Sequence, residues 1–262
     1  MTRQLSGKRG LIIGVANEKS IAWGIAKAMA EAGAELAFTY QAENLGRRVL
    51  PLAKSVGSDI VLQADVLDQS SLDHLFATLK EKWGSFDFLV HAVAYSDKDE
   101  LTGRFINTTR KNFLNSMDIS CYSLIDLANR AAPLMNTGGT ILTLTFQGSL
   151  TVMPNYNVMG VAKAALESAV RYLANDLGKD RIRVNAISPG PMRTLAGAAI
   201  GGARKTFRAT EANAPLRSNA TLDAVGGTAV YLASDAGAFT TGEIIFVDGG
   251  YHVIGMAQPE NL

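Results

Sequence analysis

"RGLIIGVANEKSIAWGIA", residues 9–26, decides how the rest of the chain is read. Residues 9–15 form a short apolar run closed by Gly14 and Val15, the pattern of a strand buried on both faces. From Ser20 the pattern changes to small and apolar residues at helical spacing, and Gly33 supplies the stop of a helix over 20–33. Strand, five-residue loop and helix make the opening of an α/β unit. The loop then lies at a strand's carboxyl end and a helix's amino end, where free N–H groups and the helix dipole favour an anion. The three-glycine G-x-G-x-x-G pattern is missing. Gly14 ends the strand, Ser20 and Ile21 open the helix, and the Ser20 hydroxyl can cap the helix or donate to a phosphate oxygen. A serine-capped turn without a ligand fits the same residues.

The alternation continues along the chain. Further strands are expected at 34–40, 59–66, 86–94, 139–146, 182–190 and 243–250. Helices are expected at about 44–57 with Pro51 inside, at 70–84 behind a serine cap, at 110–136, at 155–178, and at 221–237 behind Thr221. Residues 190–220 carry no clear pattern. The expectation is an α/β fold: a single Rossmann-like doubly wound sheet of seven parallel strands with helices on both faces, one domain over 1–262.

The chain has 262 residues, of which 47% are hydrophobic and 19% charged, enough for a large core. Its 25 basic and 24 acidic residues give a net charge of +1, which supplies no global attraction to nucleic acid or to an anionic membrane. The lone Cys121 can form no intrachain disulfide, and with His74, His91 and His252 scattered it makes no metal cluster. No run approaches the ~18 apolar residues of a spanning helix. These features read as a protein of a reducing compartment, the cytoplasm.

In a doubly wound sheet the ends of the second and third strands face the adenosine half of a dinucleotide. The second ends in "FTYQAEN" with Gln41 and no adjacent basic residue, which favours NADH over NADPH. Arg47 and Arg48 lie further on, where a solvated helix face accounts for them. After the third strand, Asp65 can accept from the adenine amine while Val66 packs on the ring; equally, Asp65 can simply form the turn.

"PNYNVMGVAK", 154–163, carries the chemistry. Nicotinamide-dependent carbonyl reductases of this architecture place a tyrosine four residues before a lysine and a serine seventeen before it. Here those positions are Met159 and Phe146, and the tyrosine, Tyr156, stands seven before Lys163. Residues at i, i+4 and i+7 share a helix face, so the shift keeps the facing and retracts the phenol by nearly a turn, to the helix mouth.

The chain resembles the short-chain dehydrogenase/reductases throughout, and within them the bacterial NADH-dependent enoyl-acyl-carrier-protein reductases, over about residues 5–256. The resemblance rests on "GVANEKSIAWGIA", "FTYQAE", "ADV", "LVHAVAYSDKDEL", "PNYNVMGVAKAALE", "RVNAISPGPMRTLAG" and "GEIIFVDGGYH". It implies that Gly14, Ser20 and Ile21 hold the pyrophosphate side, with Gln41, Asp65 and Val66 at the adenosine end and Val93 along the cofactor. Lys163 would hold the nicotinamide ribose, and Met192 and Thr194 would contact the carboxamide and phosphates. Ser96 would sit in the substrate mouth, and Tyr156 would donate to the thioester carbonyl. Most relatives carry a tyrosine where this chain has Phe146; the mycobacterial branch has phenylalanine there. The resemblance also implies a homotetramer. "TLAGAAIGGARKTFR", 194–208, is expected to be a mobile segment closing on substrate. Its Arg204, Lys205 and Arg208 could dock an acidic carrier protein or form a solvated face. A reductase of another carbonyl or enone, and a non-catalytic NAD(H) sensor, remain alternatives.

Overall fold

The computed structural model describes residues 4–198 and 201–261. Its centre is one sheet of seven parallel strands. They are β1 Arg9–Ile13, β2 Glu35–Tyr40, β3 Ile60–Gln63, β4 Phe86–His91, β5 Met135–Leu144, β6 Arg183–Pro189 and β7 Ile244–Val247, in the order β3-β2-β1-β4-β5-β6-β7. The order reverses between β1 and β4, which opens a crevice at the carboxyl ends of the strands. The expected doubly wound sheet is the observed one.

Helices cover both faces: α1 Ile21–Glu31, α2 Glu43–Ser55, α3 Gln69–Trp83, α4 Arg110–Met117, α5 Ser123–Ala131, α6 Asn157–Leu177, α7 Leu195–Ala198, α8 Ala203–Asn213 and α9 Leu222–Ala233. Side chains alternate across the sheet. Leu11, Ile13 and Leu89 join the core under α3, α5 and α6, whereas Ile12, Phe88 and Val90 join the core under α1, α2 and α9. This two-sided burial is why the strands read as continuous apolar runs.

Several boundaries differ from expectation for physical reasons. The cap of α3 is Asp68, whose carboxylate accepts from the N–H groups of Ser70 and Ser71; a charged acceptor there outcompetes the serine. Helix α2 continues through Pro51. The carbonyl left without an N–H partner belongs to Arg47, on the exposed face where water can satisfy it. The long helix expected over 110–136 is broken by a π-helical turn at Asp118–Tyr122. Ser120 accepts from the Tyr95 N–H (3.0 Å) and donates to the Tyr95 carbonyl (3.1 Å), and Ser123 donates to the Ile119 carbonyl (2.7 Å). Such side-chain bonds compete with the regular ladder. The unassigned 190–220 stretch contains α7 and α8. Among the described residues no helix is long and apolar enough to cross a membrane, and no group of three or more His, Cys, Asp or Glu side chains could hold a metal.

Helices α1 and α9 pack backbone to backbone. A Cβ at Gly226 would lie 2.7 Å from the Ala28 Cβ and 2.9 Å from the Gly24 carbonyl oxygen, whereas one at the neighbouring Gly227 would meet nothing within 4 Å. Gly226→Ala should therefore destabilise the protein by about 1–3 kcal/mol through overpacking. Gly227→Ala should stabilise it by up to about 1 kcal/mol through helix propensity. Urea unfolding of both variants checks the pair, and equal effects would contradict the packing.

Candidate active site

The crevice is built first by Gly14. Its φ of +108° suits glycine alone, and a Cβ there would lie 2.1 Å from the Ala92 carbonyl oxygen beyond β4. The exits of β1 and β4 thus pass against each other where the strand order reverses. Ser20 folds the intervening loop. Its hydroxyl accepts from the N–H groups of Ala16 (3.0 Å) and Asn17 (3.1 Å) and makes no cap bond to α1, contrary to expectation. The first turn of α1, beginning at Ile21, therefore has no side-chain acceptor at its amino end, an arrangement that fits a phosphate.

At the next two strand ends, Gln41 Nε2 donates to Asp65 Oδ2 (3.0 Å), while Asp65 Oδ1 accepts from the Leu67 N–H (2.9 Å). Asp65 is thus a turn former and also one half of an exposed polar pair bridging β2 and β3. Val66 and Val93 are partly buried against the α3 side of the core. Met192 packs on the opposite core, and the Thr194 hydroxyl accepts from the Gly197 N–H (2.9 Å), starting α7. The groups expected around a dinucleotide accordingly stand at the carboxyl ends of neighbouring strands, and the donor set fits NAD.

Tyr156 and Lys163 are both buried. The helix begins at Asn157, so Tyr156 occupies the cap position and not the first turn. It is flanked by two asparagines with positive φ, Asn155 (59°) and Asn157 (20°). The Asn155 side chain donates to the Gly201 carbonyl (2.6 Å), and that of Asn157 to the Glu100 carbonyl (3.0 Å). Helical projection thus overstated how far Tyr156 belongs to α6: the phenol is aimed by an irregular turn. Its ring meets Phe146 edge-on at 5.1 Å between centroids. Leu101, Val158 and Met159, with Phe146 and Met153, complete an apolar cluster around it. Burial, then the charge of Glu167, pushes the Tyr156 pKa up, so the phenol stays a neutral donor.

Lys163 Nζ donates to the Leu144 carbonyl (2.8 Å) at the end of β5. Burial pushes its pKa down to about 8, against the opposing influence of Cys121 and Glu167. Sequence reasoning missed Glu167, a buried carboxylate four residues further along α6 that accepts from Thr145 Oγ1 (2.6 Å) and Ser149 Oγ (2.5 Å). The i+4 spacing from the lysine was its only signal. Also missed was Asn112, which accepts from the Asp97 N–H (2.9 Å) and donates to Ser96 Oγ (3.2 Å). Ser96 is thereby tied to α4 through that amide. Arg204, Lys205 and Arg208 lie exposed on α8.

A family profile described as enoyl-(acyl carrier protein) reductase matches residues 14–252. The chain belongs to the enoyl-(acyl carrier protein) reductase family. It is 57% identical to enoyl-[acyl-carrier-protein] reductase [NADH] 2 of Rhizobium meliloti, over 100% of this chain and 98% of that one. It is 55% identical to a Rickettsia bellii NADH enoyl-[acyl-carrier-protein] reductase over 97% of each. A crystal structure of the Anaplasma phagocytophilum reductase in complex with NAD superimposes with a TM-score of 0.95 at 56% identity, covering 98% of both chains. Among members of this family, then, the present site combines Tyr156 at a helix cap with Phe146 against its ring.

His91, at the end of β4 behind the reductase site, is fully buried. Its Nε2 lies 2.8 Å from Ser123 Oγ and its Nδ1 2.8 Å from Thr143 Oγ1. Because Ser123 gives its proton to the Ile119 carbonyl, Nε2 carries the ring hydrogen and Thr143 donates to Nδ1. Burial, then the charge of Lys163, pushes its pKa down to about 3. The folded ring is therefore neutral, and its contribution to stability is complete above the unfolded value of about 6.5 and is lost as pH falls from there towards 3. Between pH 7 and pH 5 this group should remove about 2 kcal/mol of stability. His91→Gln should flatten that slope in urea unfolding, and an unaltered slope would refute the assignment.

Proposed function

We propose that this chain reduces trans-2-enoyl thioesters carried on acyl carrier protein to saturated acyl thioesters with NADH, a step of fatty acid biosynthesis. The observation that carries the assignment of roles is a buried, neutral phenol at the mouth of α6, set in an apolar cluster, with Lys163 seven residues, about two turns, beyond it. NADH, when bound, would supply the hydride for the β-carbon of the enoyl group, and a proton added at the α-carbon would complete the saturated product. The protein must then stabilise the negative charge that grows on the thioester oxygen. Tyr156 donates to that oxygen, an interaction stronger in the transition state than in the ground state. Lys163 holds the nicotinamide ribose. Gly14, Ser20 and Ile21 shape the pyrophosphate seat, Gln41, Asp65 and Val66 the adenosine end, Val93 lies along the cofactor, and Met192 and Thr194 contact the carboxamide and phosphates. Phe146 and Ser96 border the substrate mouth, and the 194–208 segment closes over it; Ala199 and Ile200 of that segment lie outside the described residues.

Two partner surfaces belong to this reading. Arg204, Lys205 and Arg208 are exposed on α8, within the substrate segment, and suit an acidic carrier protein. Exposed apolar side chains on α4 to α6, Leu114, Tyr122, Ile125, Val161 and Tyr172, suit association with further copies, a homotetramer in the cytoplasm that light scattering would weigh.

With crotonyl thioester, the enzyme should oxidise NADH in preference to NADPH. Turnover of another enone only, or binding of NADH without oxidation, would point to the alternative reductase or the sensor. Tyr156→Phe should lower kcat by about two orders of magnitude, ~3 kcal/mol, with NADH affinity nearly intact; wild-type turnover would remove Tyr156 from its role. The charge-reversed pair Arg204→Glu and Lys205→Glu should raise KM for the carrier-bound substrate alone. An equal effect on a free pantetheine thioester would argue against docking.

A further inference from the structure

Besides Lys163, α6 buries a second ionisable side chain, one that the reaction scheme does not use. Glu167 is 4% exposed. A buried carboxylate is stable only when its oxygens are bonded and its charge is offset. Its bonds go to Thr145 and Ser149, the two hydroxyls that bracket Phe146 in the turn after β5. With the Lys163 bond to the Leu144 carbonyl, α6 grips residues 144, 145 and 149 of one short segment. Gly148, within the grip, lets that segment approach so closely that a Cβ would lie 2.5 Å from the Tyr156 ring.

The charge of Lys163 faces few groups able to offset it. His91, on β4, is neutral. Cys121, in the π turn, could help only as a thiolate, and burial pushes that thiol above its ordinary 9.0. Tyr156 is held in its neutral form. The remaining described group whose charge acts on Lys163 is the carboxyl of Glu167, four residues along the same helix.

We infer that Glu167 is a positioning residue of the reductase site, anchoring the Thr145–Ser149 turn and Phe146 to α6 and acting as the fixed counter-charge of Lys163. This rests on the assignment of Lys163 to the cofactor ribose and Tyr156 to the substrate oxygen. Replacing the carboxylate by an amide keeps the shape and removes the charge, so Lys163 should lose its proton at lower pH. Removing a hydroxyl partner keeps both charges and loosens only the turn.

The full-length enzyme is titrated with NADH by fluorescence from about pH 6 to pH 9.5 as wild type, Lys163→Met, Glu167→Gln and Ser149→Ala. KM for crotonyl thioester is measured at about pH 6.5 for wild type and Ser149→Ala. Wild-type NADH affinity should fall as pH rises through about 8, and Lys163→Met should lack that fall. In Glu167→Gln the fall should move to lower pH, leaving affinity at neutral to mildly alkaline pH about threefold or more below wild type, with little difference at pH 6. Ser149→Ala should keep the wild-type NADH profile and raise KM roughly threefold or more. A wild-type profile in Glu167→Gln, or a wild-type KM in Ser149→Ala, overturns the inference. A fall that persists in Lys163→Met overturns instead the role of Lys163 beneath it. If Glu167→Gln does not fold, the Ser149→Ala measurement decides alone.

Discussion

The bond from Lys163 to the Leu144 carbonyl is the constraint on which the site depends. A buried ammonium is costly, and its pKa is correspondingly depressed to about 8. It is tolerable because β5 ends where its last carbonyl can accept from α6. The sheet and the helix are therefore locked together at the point where the strand ends and the reactive groups begin. Glu167 extends the lock to Thr145 and Ser149, and Gly148 and Gly160 remove the Cβ atoms that would hold the turn off the helix. Phe146 then meets Tyr156, and the apolar cluster with Leu101 and Met159 closes around the phenol. Depressing the acidity of that phenol follows from the same closure, since burial is the largest cause of its raised pKa.

Much of this was legible in the sequence because burial on both faces leaves a plain mark. The runs Leu11–Ile13 in β1 and Phe88–Val90 in β4 are apolar without interruption, and β1 is followed by small residues at helical spacing. Features decided by single side-chain bonds were not legible. Asp68 and two following serines all suit a helix cap, and only the fold shows that the carboxylate takes the N–H groups of Ser70 and Ser71. The π turn at Asp118–Tyr122 has no periodic signature, because its cause lies in Ser120 reaching a backbone 25 residues away at Tyr95. His91 looked like one scattered histidine, and its partners Ser123 and Thr143 come from other elements.

The candidate site was legible in outline through the spacing of Tyr156 and Lys163, and misjudged in mechanism of placement. Projection onto a helix assumes that both residues obey one periodicity. Tyr156 does not, because Asn155 and Asn157 take positive φ on either side of it and spend their side chains on the Gly201 and Glu100 carbonyls. Asparagine is among the residues that tolerate such backbone angles, so the N-Y-N triplet is the signal that projection overlooked. Likewise Ser20 stood at the right place for a helix cap but turned to the loop, leaving the amino end of α1 open to an anion.

The displacement of the phenol has a chemical logic of its own. In carbonyl reduction the atom that receives hydride is bonded directly to the oxygen that receives a proton, so donor and hydride source converge on neighbouring atoms. In conjugate reduction of an enoyl thioester the β-carbon and the carbonyl oxygen are three bonds apart. The donor must then retreat from the hydride source by a comparable distance. Three residues of helix correspond to ~4.5 Å of rise, and a residue just outside the helix can be aimed more freely than one on it. Met159 occupies the position a carbonyl reductase would give its tyrosine, and it is buried with its sulfur 3.9 Å from Ser120 Oγ. On the proposed assignment of Tyr156 to the thioester oxygen, an apolar side chain there would keep a competing donor away from the carbon under attack, with the phenol one turn back for the oxygen.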